Sequence, residues 1–333
     1  MTFDNDLDKL LSNHSDSIHN QKIIKTSLII SASRRTDILA FYADWFINRI
    51  RAGFCTVPNP FNINQISKVS LRPEDVEVIV FWTRNPRPIF PYLKELDDAG
   101  FRYYFQYTIL NNPRLIDPKS PSVETSIKNL HELASLVGSE RVIWRYDPVV
   151  FSKVTDSQFH LRSYKFIAEA IKGQTKRSVI SIMDEYAKAK TRLTRMGEQG
   201  AALISGEYHN QPWFDQLMRS FVSISNANNM EIVSCAEEIN LEPYGIEPGK
   251  CVDVEFIQRV FGIDVHNKKD PYQREECGCV ISKDIGVYDT CLYGCQYCYA
   301  SRNFGVAKTR HREHDPSSPS IIKLKAQKQL DLF

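Results

Sequence analysis

The chain has 333 residues, 42% hydrophobic and 25% charged, with a formal net charge of +2 and a pI near 8.0. That composition supplies apolar material for a large core and excludes a chain whose bulk charge alone announces a nucleic-acid partner. No apolar run reaches the length of a membrane span and nothing near the N-terminus resembles a secretory h-region, so no membrane partner and a cytoplasmic location are expected.

Residues 1–25 are polar and rich in His, Asn and Asp (L-S-N-H-S-D-S-I-H-N), and read as a flexible leader. Residues 26–270 alternate between strand-like and helical patterns. Apolar strand runs fall at Leu28–Ala32, Phe54–Val57, Val76–Trp82, Tyr103–Ile109, Val142–Tyr146, Ser178–Met183 and Glu231–Cys235. Amphipathic helical segments lie between most of them, at Ile38–Ile50, Arg87–Ala99, Ser122–Val137, Asp156–Ile171 and Pro212–Asn226. Strands this apolar, separated by helices, predict an α/β fold with a parallel sheet covered by helices. Seven such units predict a TIM-barrel-like (β/α) barrel, complete or partial, with an open doubly wound sheet as the alternative.

In such barrels chemistry gathers at the carboxyl ends of the strands, where loops vary while strands hold position. The residues at those ends are Arg34, Arg35 and Asp37 after the first run, Asn59 after the second, and Arg84 and Asn85 after the third. The fourth run carries Gln106, the fifth Arg145 and Asp147, and the seventh ends at Cys235. Adjacent arginines such as Arg34 and Arg35 suit an anionic group, phosphate or carboxylate. Each residue has a plainer reading: Asp37 caps the helix that starts at Ile38, and Arg145 with Asp147 forms an internal ion pair.

Residues 271–302 are cysteine-rich and must fold back over the barrel mouth if they work there. Five of the eight cysteines lie here, as Cys277, Cys279, Cys291, Cys295 and Cys298. Cysteines this clustered, without an export signal, point to metal in a reducing compartment rather than to disulfides. The last three read C-x₃-C-x₂-C, with Tyr297 before the third. Converging thiolates are what an iron–sulfur centre requires, and three leave one iron open. A structural zinc site is the rival, although zinc knuckles want two pairs rather than a triplet. Setting aside Cys55, which sits in an apolar run and reads as core, four cysteines remain: Cys235, Cys251, Cys277 and Cys279. Four is the number that closes a zinc site or a second cluster, and ordinary buried cysteine is the alternative for Cys235 and Cys251.

The triplet resembles the signature of radical S-adenosylmethionine (radical SAM) enzymes. That resemblance implies a 4Fe–4S cluster on Cys291, Cys295 and Cys298, SAM on the open iron, Tyr297 beside the cofactor, a 5′-deoxyadenosyl radical, and a reductant such as flavodoxin or ferredoxin. The family usually carries the motif near the N-terminus, whereas here it comes late. The Gly-Gly-Glu run that contacts SAM in many members is absent, with Gly197–Glu198 and Gly206–Glu207 as weak substitutes. Over nearly its whole length the chain also resembles an uncharacterised bacterial family, domain of unknown function 1848. The match rests on S-A-S-R-R-T-D-I at Ser31–Ile38, V-P-N-P-F-N at Val57–Asn62, F-W-T-R-N-P at Phe81–Pro86, V-I-W-R-Y-D-P at Val142–Pro148, and the cysteines. It implies a grouping and no substrate.

Residues 303–333 are basic, with Ser and Pro between, and read as a flexible tail. The tail ends in Gln329-Leu330-Asp331-Leu332-Phe333, which resembles the peptide by which bacterial polymerases and repair proteins dock on the DNA sliding clamp. A tethered Leu-Phe anchor with a glutamine hydrogen bond suits an apolar pocket, although five-residue matches arise by chance. The expectation is therefore a radical SAM-like enzyme acting on nucleic acid. The alternative is a non-catalytic zinc or iron–sulfur adaptor recruited to replication or repair machinery.

Overall fold

The computed structural model describes residues 28–204 and 206–324. Ten strands form in chain order: β1 (Leu28–Ala32), β2 (Phe54–Pro58), β3 (Ile66–Ser70), β4 (Val76–Thr83), β5 (Tyr103–Thr108), β6 (Val142–Val149), β7 (Arg177–Ile182), β8 (Glu231–Cys235), β9 (Glu247–Gly249) and β10 (Lys283–Asp284). Eight of them make one all-parallel sheet in the order β10-β1-β4-β5-β6-β7-β8-β9. The fold is therefore α/β, a large parallel sheet flanked by helices. From β1 to β9 the strands follow one another without reversal. No ladder joins β9 to β10 among the described residues, so hydrogen bonding leaves the sheet open rather than closing a full barrel.

The helices are α1 (Ile38–Phe41), α2 (Ala43–Ala52), α3 (Leu93–Asp98), α4 (Val123–Val137), α5 (Ser157–Ala170), α6 (Lys190–Met196), α7 (Pro212–Ala227), α8 (Val254–Phe261) and α9 (Phe304–Arg312). Helices α1, α2, α4, α5 and α7 bury their apolar stripes in one core, against Ile30, Phe81, Phe105, Trp144 and Ile180 of the sheet. Side-chain alternation sends Ile29, Val80, Tyr104, Ile143 and Val179 to the other face. There they pack on α8 and on the chain around Cys251 and Cys277–Val280. One helix-covered face and one face plugged by late sequence define where a site can form.

Several expectations change at the element level. The apolar run at Phe54–Val57 is not a strand of the main sheet; it pairs antiparallel with β3 in a separate hairpin, because its hydrogen-bonding partner is the next segment rather than β1. Asn59 consequently lies in that hairpin, donating to Gln65 (2.7 Å), and not on the sheet's carboxyl rim. The helix read over Ile38–Ile50 breaks at Tyr42, whose backbone leaves helical angles while its hydroxyl donates to the Thr290 carbonyl (2.8 Å). The segment Arg87–Ala99 is helical in two parts, since Pro91 lacks the N–H an α-helix needs. No helix among the described residues is long and apolar enough to cross a membrane.

The tail is also corrected. Within residues 303–324 the chain forms α9 and then docks on α2. Trp45 Nε1 donates to the Ser318 carbonyl (2.9 Å) and Arg49 Nη2 to that of Ser317 (2.8 Å). Ile321 and Ile322 are buried in the main core, an anchor that two apolar residues among serines and prolines did not reveal. The peptide Gln329–Phe333 lies outside the described residues. Because a buried isoleucine truncated to alanine costs about 2–5 kcal/mol, Ile321→Ala is expected to lower the denaturant midpoint markedly. An unchanged midpoint would return this segment to a loose tail.

Candidate functional site

The site is assembled by the return of the chain to β1. Strand β10 pairs with β1 through Ile30–Lys283 and Ser31–Asp284. The Asp284 carboxylate then collects Ser33 Oγ (2.6 Å), Ser31 Oγ (3.2 Å), Arg34 N (2.8 Å) and Gly286 N (2.8 Å). Gly286 has to be glycine, since a Cβ there would lie 1.9 Å from Ser33 Oγ. This clamp lays the last cysteines over the first strand's carboxyl end.

Cys291, Cys295 and Cys298 come together in one apolar patch with Ile116, Val150, Tyr293 and Tyr297. The loop that carries them is fixed by Arg192, which donates to the carbonyls of Cys298 (2.6 Å), Ser301 (2.8 Å) and Gln296 (3.1 Å). Tyr299 donates to the Arg34 carbonyl (2.7 Å), seating the loop on the rim. The thiols sense one another's charge: burial first, then Cys298 and Asp37, pushes Cys291 up to about 12, although backbone N–H groups of Tyr293 and Asp37 donate to its sulfur. Burial, with Asp117 and the other two cysteines, pushes Cys295 up as well. Neutral buried thiols of this kind become thiolates when a cation arrives and takes the place of the protons.

Around the triplet stand Arg84, Asp117 and Tyr297. Tyr297 donates to both carboxylate oxygens of Asp117 (3.0 and 3.1 Å), and Arg84 donates to Asp117 (3.3 Å) and to the Tyr297 hydroxyl. Burial opposes the Arg84 charge, but Asp117 more than offsets it and holds the cation. Asp37 both caps α1, accepting from Ala40 N (3.0 Å), and accepts from Arg84 N (2.7 Å). Burial lifts its carboxyl to about 6. Asp37 is therefore the cap of α1 and, with its other oxygen, a partner of the Arg84 backbone.

The other four cysteines also meet, on the plugged face of the sheet. Cys235 and Cys251 sulfurs lie 3.0 Å apart, and Cys279 accepts from Cys251 N (3.3 Å) and Val252 N (3.4 Å). The neighbouring Cys251 and Cys277 thiols, with Arg34, hold Cys279 well below the usual thiol range. Arg145 donates Nη1 to Cys251 Sγ (2.7 Å) and to Gln106 (3.1 Å), while its other nitrogens pair with Asp147. Burial alone would raise Asp147; Arg145 and the Ser181 hydroxyl keep it below the carboxylate range. Gln106 and Tyr104 both donate to the Cys251 carbonyl (2.9 and 2.7 Å). Trp82 lies between the two cations, its ring 5.0 Å from the Arg34 guanidinium and 5.2 Å from that of Arg145.

Of the residues expected at the rim, Arg34, Asp37, Arg84, Gln106, Arg145, Asp147 and Tyr297 are thus gathered around the cysteines, and Arg35 stacks on Tyr288 (5.3 Å) at the edge. Asn85 is not: its side-chain oxygen accepts from Asn129 of α4, on the helix-covered side. Sequence reasoning missed Asp117, Arg192 and Asp284. Asp117 was reachable by following the loop beyond β5; the other two carry no local signal. Among the described residues no group of three or more His, Cys, Asp or Glu side chains is posed as a ready metal cage. Two open pockets of about 260 and about 240 Å³ lie on the described surface, one lined by Ser234, Glu237 and Glu276, the other by Asn112, Arg114 and Asp117.

Glu237 gives the site a pH signature. Burial pushes its carboxyl up to about 8, with Asp184, Asp147 and Cys235 adding to the rise, although Ile182 N donates to it (2.7 Å). An ordinary glutamate releases its proton near about 4.3, so between the two values the folded chain holds a proton that the unfolded chain has lost. Stability from this group is full below that window and falls as pH rises through it. Glu237→Gln is expected to flatten the fall between about pH 4 and about pH 8, measured as denaturation midpoints; identical slopes would show Glu237 ionised throughout.

No curated protein matches the chain. Among solved structures, a candidate alpha-L-fucosidase from Bacteroides thetaiotaomicron VPI-5482 is 12% identical, over 73% of this chain and 85% of that one, with a TM-score of 0.26, a likeness that bears on neither fold nor activity. The family described as Domain of unknown function (DUF1848) matches residues 29–300, most of the chain and both cysteine sets, and the protein belongs to that family.

Proposed function

We propose that this protein is a radical SAM-like iron–sulfur enzyme whose curved sheet acts as a partial barrel with the cluster at its mouth. The observation that carries this reading is the placement of Cys291, Cys295 and Cys298 together in one apolar patch, Cys295 buried and the other two half-buried, on a loop tied through Tyr299 to Arg34 at the end of β1. Three thiolates of a four-iron cluster stand farther apart than the ligands of a single ion, so a loose apolar grouping suits the cluster better than a tight cage does. When bound, such a cluster supplies an electron for reductive cleavage of SAM.

The chain's own residues supply the surroundings. Arg192 holds the ligand loop by its carbonyls, so the three sulfurs keep their spacing as they lose protons. N–H donors from Asp37 and Tyr293 stabilise the Cys291 thiolate. Arg34 Nη2 and the Tyr293 hydroxyl are buried polar atoms with no hydrogen-bond partner among the described residues. Such groups are costly unless something pairs with them, and a carboxylate such as SAM's suits the guanidinium. This assigns Arg34 the anion-holding role for which no Gly-Gly-Glu run is present. The Arg84–Asp117–Tyr297 network orients the aromatic ring beside the third cysteine.

Nucleic acid remains the preferred substrate class, carried only by the sequence of the tail. Two experiments test the reading. Anaerobic reconstitution with iron and sulfide, followed by SAM and dithionite, is expected to yield 5′-deoxyadenosine in the intact protein and none in Cys295→Ala; tightly bound zinc with no SAM turnover would favour the adaptor instead. Removing Leu332 and Phe333 is expected to abolish binding to a purified bacterial sliding clamp, measured by surface plasmon resonance. Binding that is unaffected by the truncation would detach the protein from DNA work.

A further inference from the structure

The four cysteines on the plugged face are a separate feature that the triplet's chemistry does not use. They come from distant parts of the chain: Cys235 ends β8, Cys251 follows β9, and Cys277 and Cys279 lead toward β10. Packing nevertheless brings all four together: Cys251, Cys277 and Cys279 are buried in one cluster with Cys235 against it, the Cys235 and Cys251 sulfurs lie 3.0 Å apart, and Cys251 N donates to Cys279 Sγ (3.3 Å). From these contacts we propose that Cys235, Cys251, Cys277 and Cys279 form a structural site for a single thiophilic ion, zinc, that joins the two open edges of the sheet.

Three observations lead there. The first is scale. Four sulfurs 2.3 Å from one tetrahedral ion stand about 3.8 Å apart. The Cys235–Cys251 separation is 3.0 Å, so these thiols have to open by only about 0.8 Å to admit one ion. A four-iron cluster spreads its thiolates over a wider shell, and this packed group would have to be taken apart to hold one. The close sulfur contacts also explain why the group is not already posed as a cage.

The second is charge. A zinc ion with four thiolates carries a net charge of about −2. Arg34 and Arg145 both face the set, stacked on either ring contact of Trp82, with Arg145 already donating to Cys251 and Arg34 in the field of Cys279 and Cys251. Backbone N–H groups of Cys251 and Val252 donate to the Cys279 sulfur. Such N–H donors around a ligand thiolate are what tunes and orients a metal site.

The third is topology. Strands β9 and β10 are the sheet's edges and share no ladder. The four ligands come from the chain at both edges, so an ion there does what missing hydrogen bonds do not. The backbone has begun the same join: Val280 N, just before β10, donates to the carbonyl of Val252, just after β9 (3.2 Å).

The proposal is tested on the full chain expressed with zinc and purified anaerobically with a thiol-free reductant. Metal content is measured for the parent, for Cys279→Ser, for Cys277→Ser, and for a Cys291→Ser/Cys295→Ser/Cys298→Ser variant. One zinc per chain is expected in the parent and in the triplet variant, and is lost in Cys279→Ser, so this inference and the cluster reading fail separately. Cobalt titration provides a second readout that does not depend on a folded single variant: the parent and the triplet variant should both give thiolate-to-cobalt charge-transfer and tetrahedral ligand-field bands. Absence of zinc from the parent would overturn the proposal. So would zinc retained after both single substitutions, zinc lost with the triplet, labile sulfide held by these four residues, or a resting Cys235–Cys251 disulfide.

Discussion

A single carboxylate, Asp284, holds the arrangement together. It accepts four hydrogen bonds from three residues of the first strand's end and from Gly286. Hydrogen bonds to charged groups contribute about 1.5–3 kcal/mol each, which is a strong hold for a strand of two residues. With the backbone ladder between β1 and β10 it sets the register of the chain after residue 282, and Arg192 and the Tyr297–Asp117 contact then hold the triplet's loop in place.

The sheet divides its two faces between stability and chemistry. Its helix-covered side is aromatic and apolar, with Trp144 stacked on Tyr164 (4.7 Å) and Tyr164 on Phe221 (4.3 Å). On the other side, successive residues of the same strands change character toward the carboxyl end: Val80 gives way to Trp82 and Arg84, Tyr104 to Gln106, Ile143 to Arg145 and Asp147. The apolar end takes α8, with Phe256 against Tyr104 (4.8 Å). The polar end takes the cysteines. A period of two thus writes a core and a site into the same strands.

The strands were legible because parallel strands buried on both faces read as unbroken apolar runs; Leu28–Ala32 and Glu231–Cys235 form as their sequences suggest. The same signal misled at Phe54–Val57, since an apolar run states that a strand forms and not which strand it joins. Strand β10 was invisible: Lys283 and Asp284 have no strand pattern, and only their partner defines them. At the site, the triplet was legible from its spacing and the remaining four cysteines from their number. Their convergence was not, because Cys235 and Cys277 are joined by packing that no local pattern records. Asn85 shows the limit from the other side, one residue from Arg84 and facing the opposite way.

The separation between β1 and its last partner has a consequence for how the protein is made. Ser31 and Asp284 are 253 positions apart. At ribosomal rates of about 5–20 residues per second, one edge of the nascent sheet stays unpaired for on the order of 10–50 s. A bare parallel edge is a template for the wrong neighbour, and Cys291, Cys295 and Cys298 emerge only after that interval. The strand that covers this edge and the cysteine triplet beyond it are thus among the last parts of the described chain to be made, and the first strand waits exposed until they arrive.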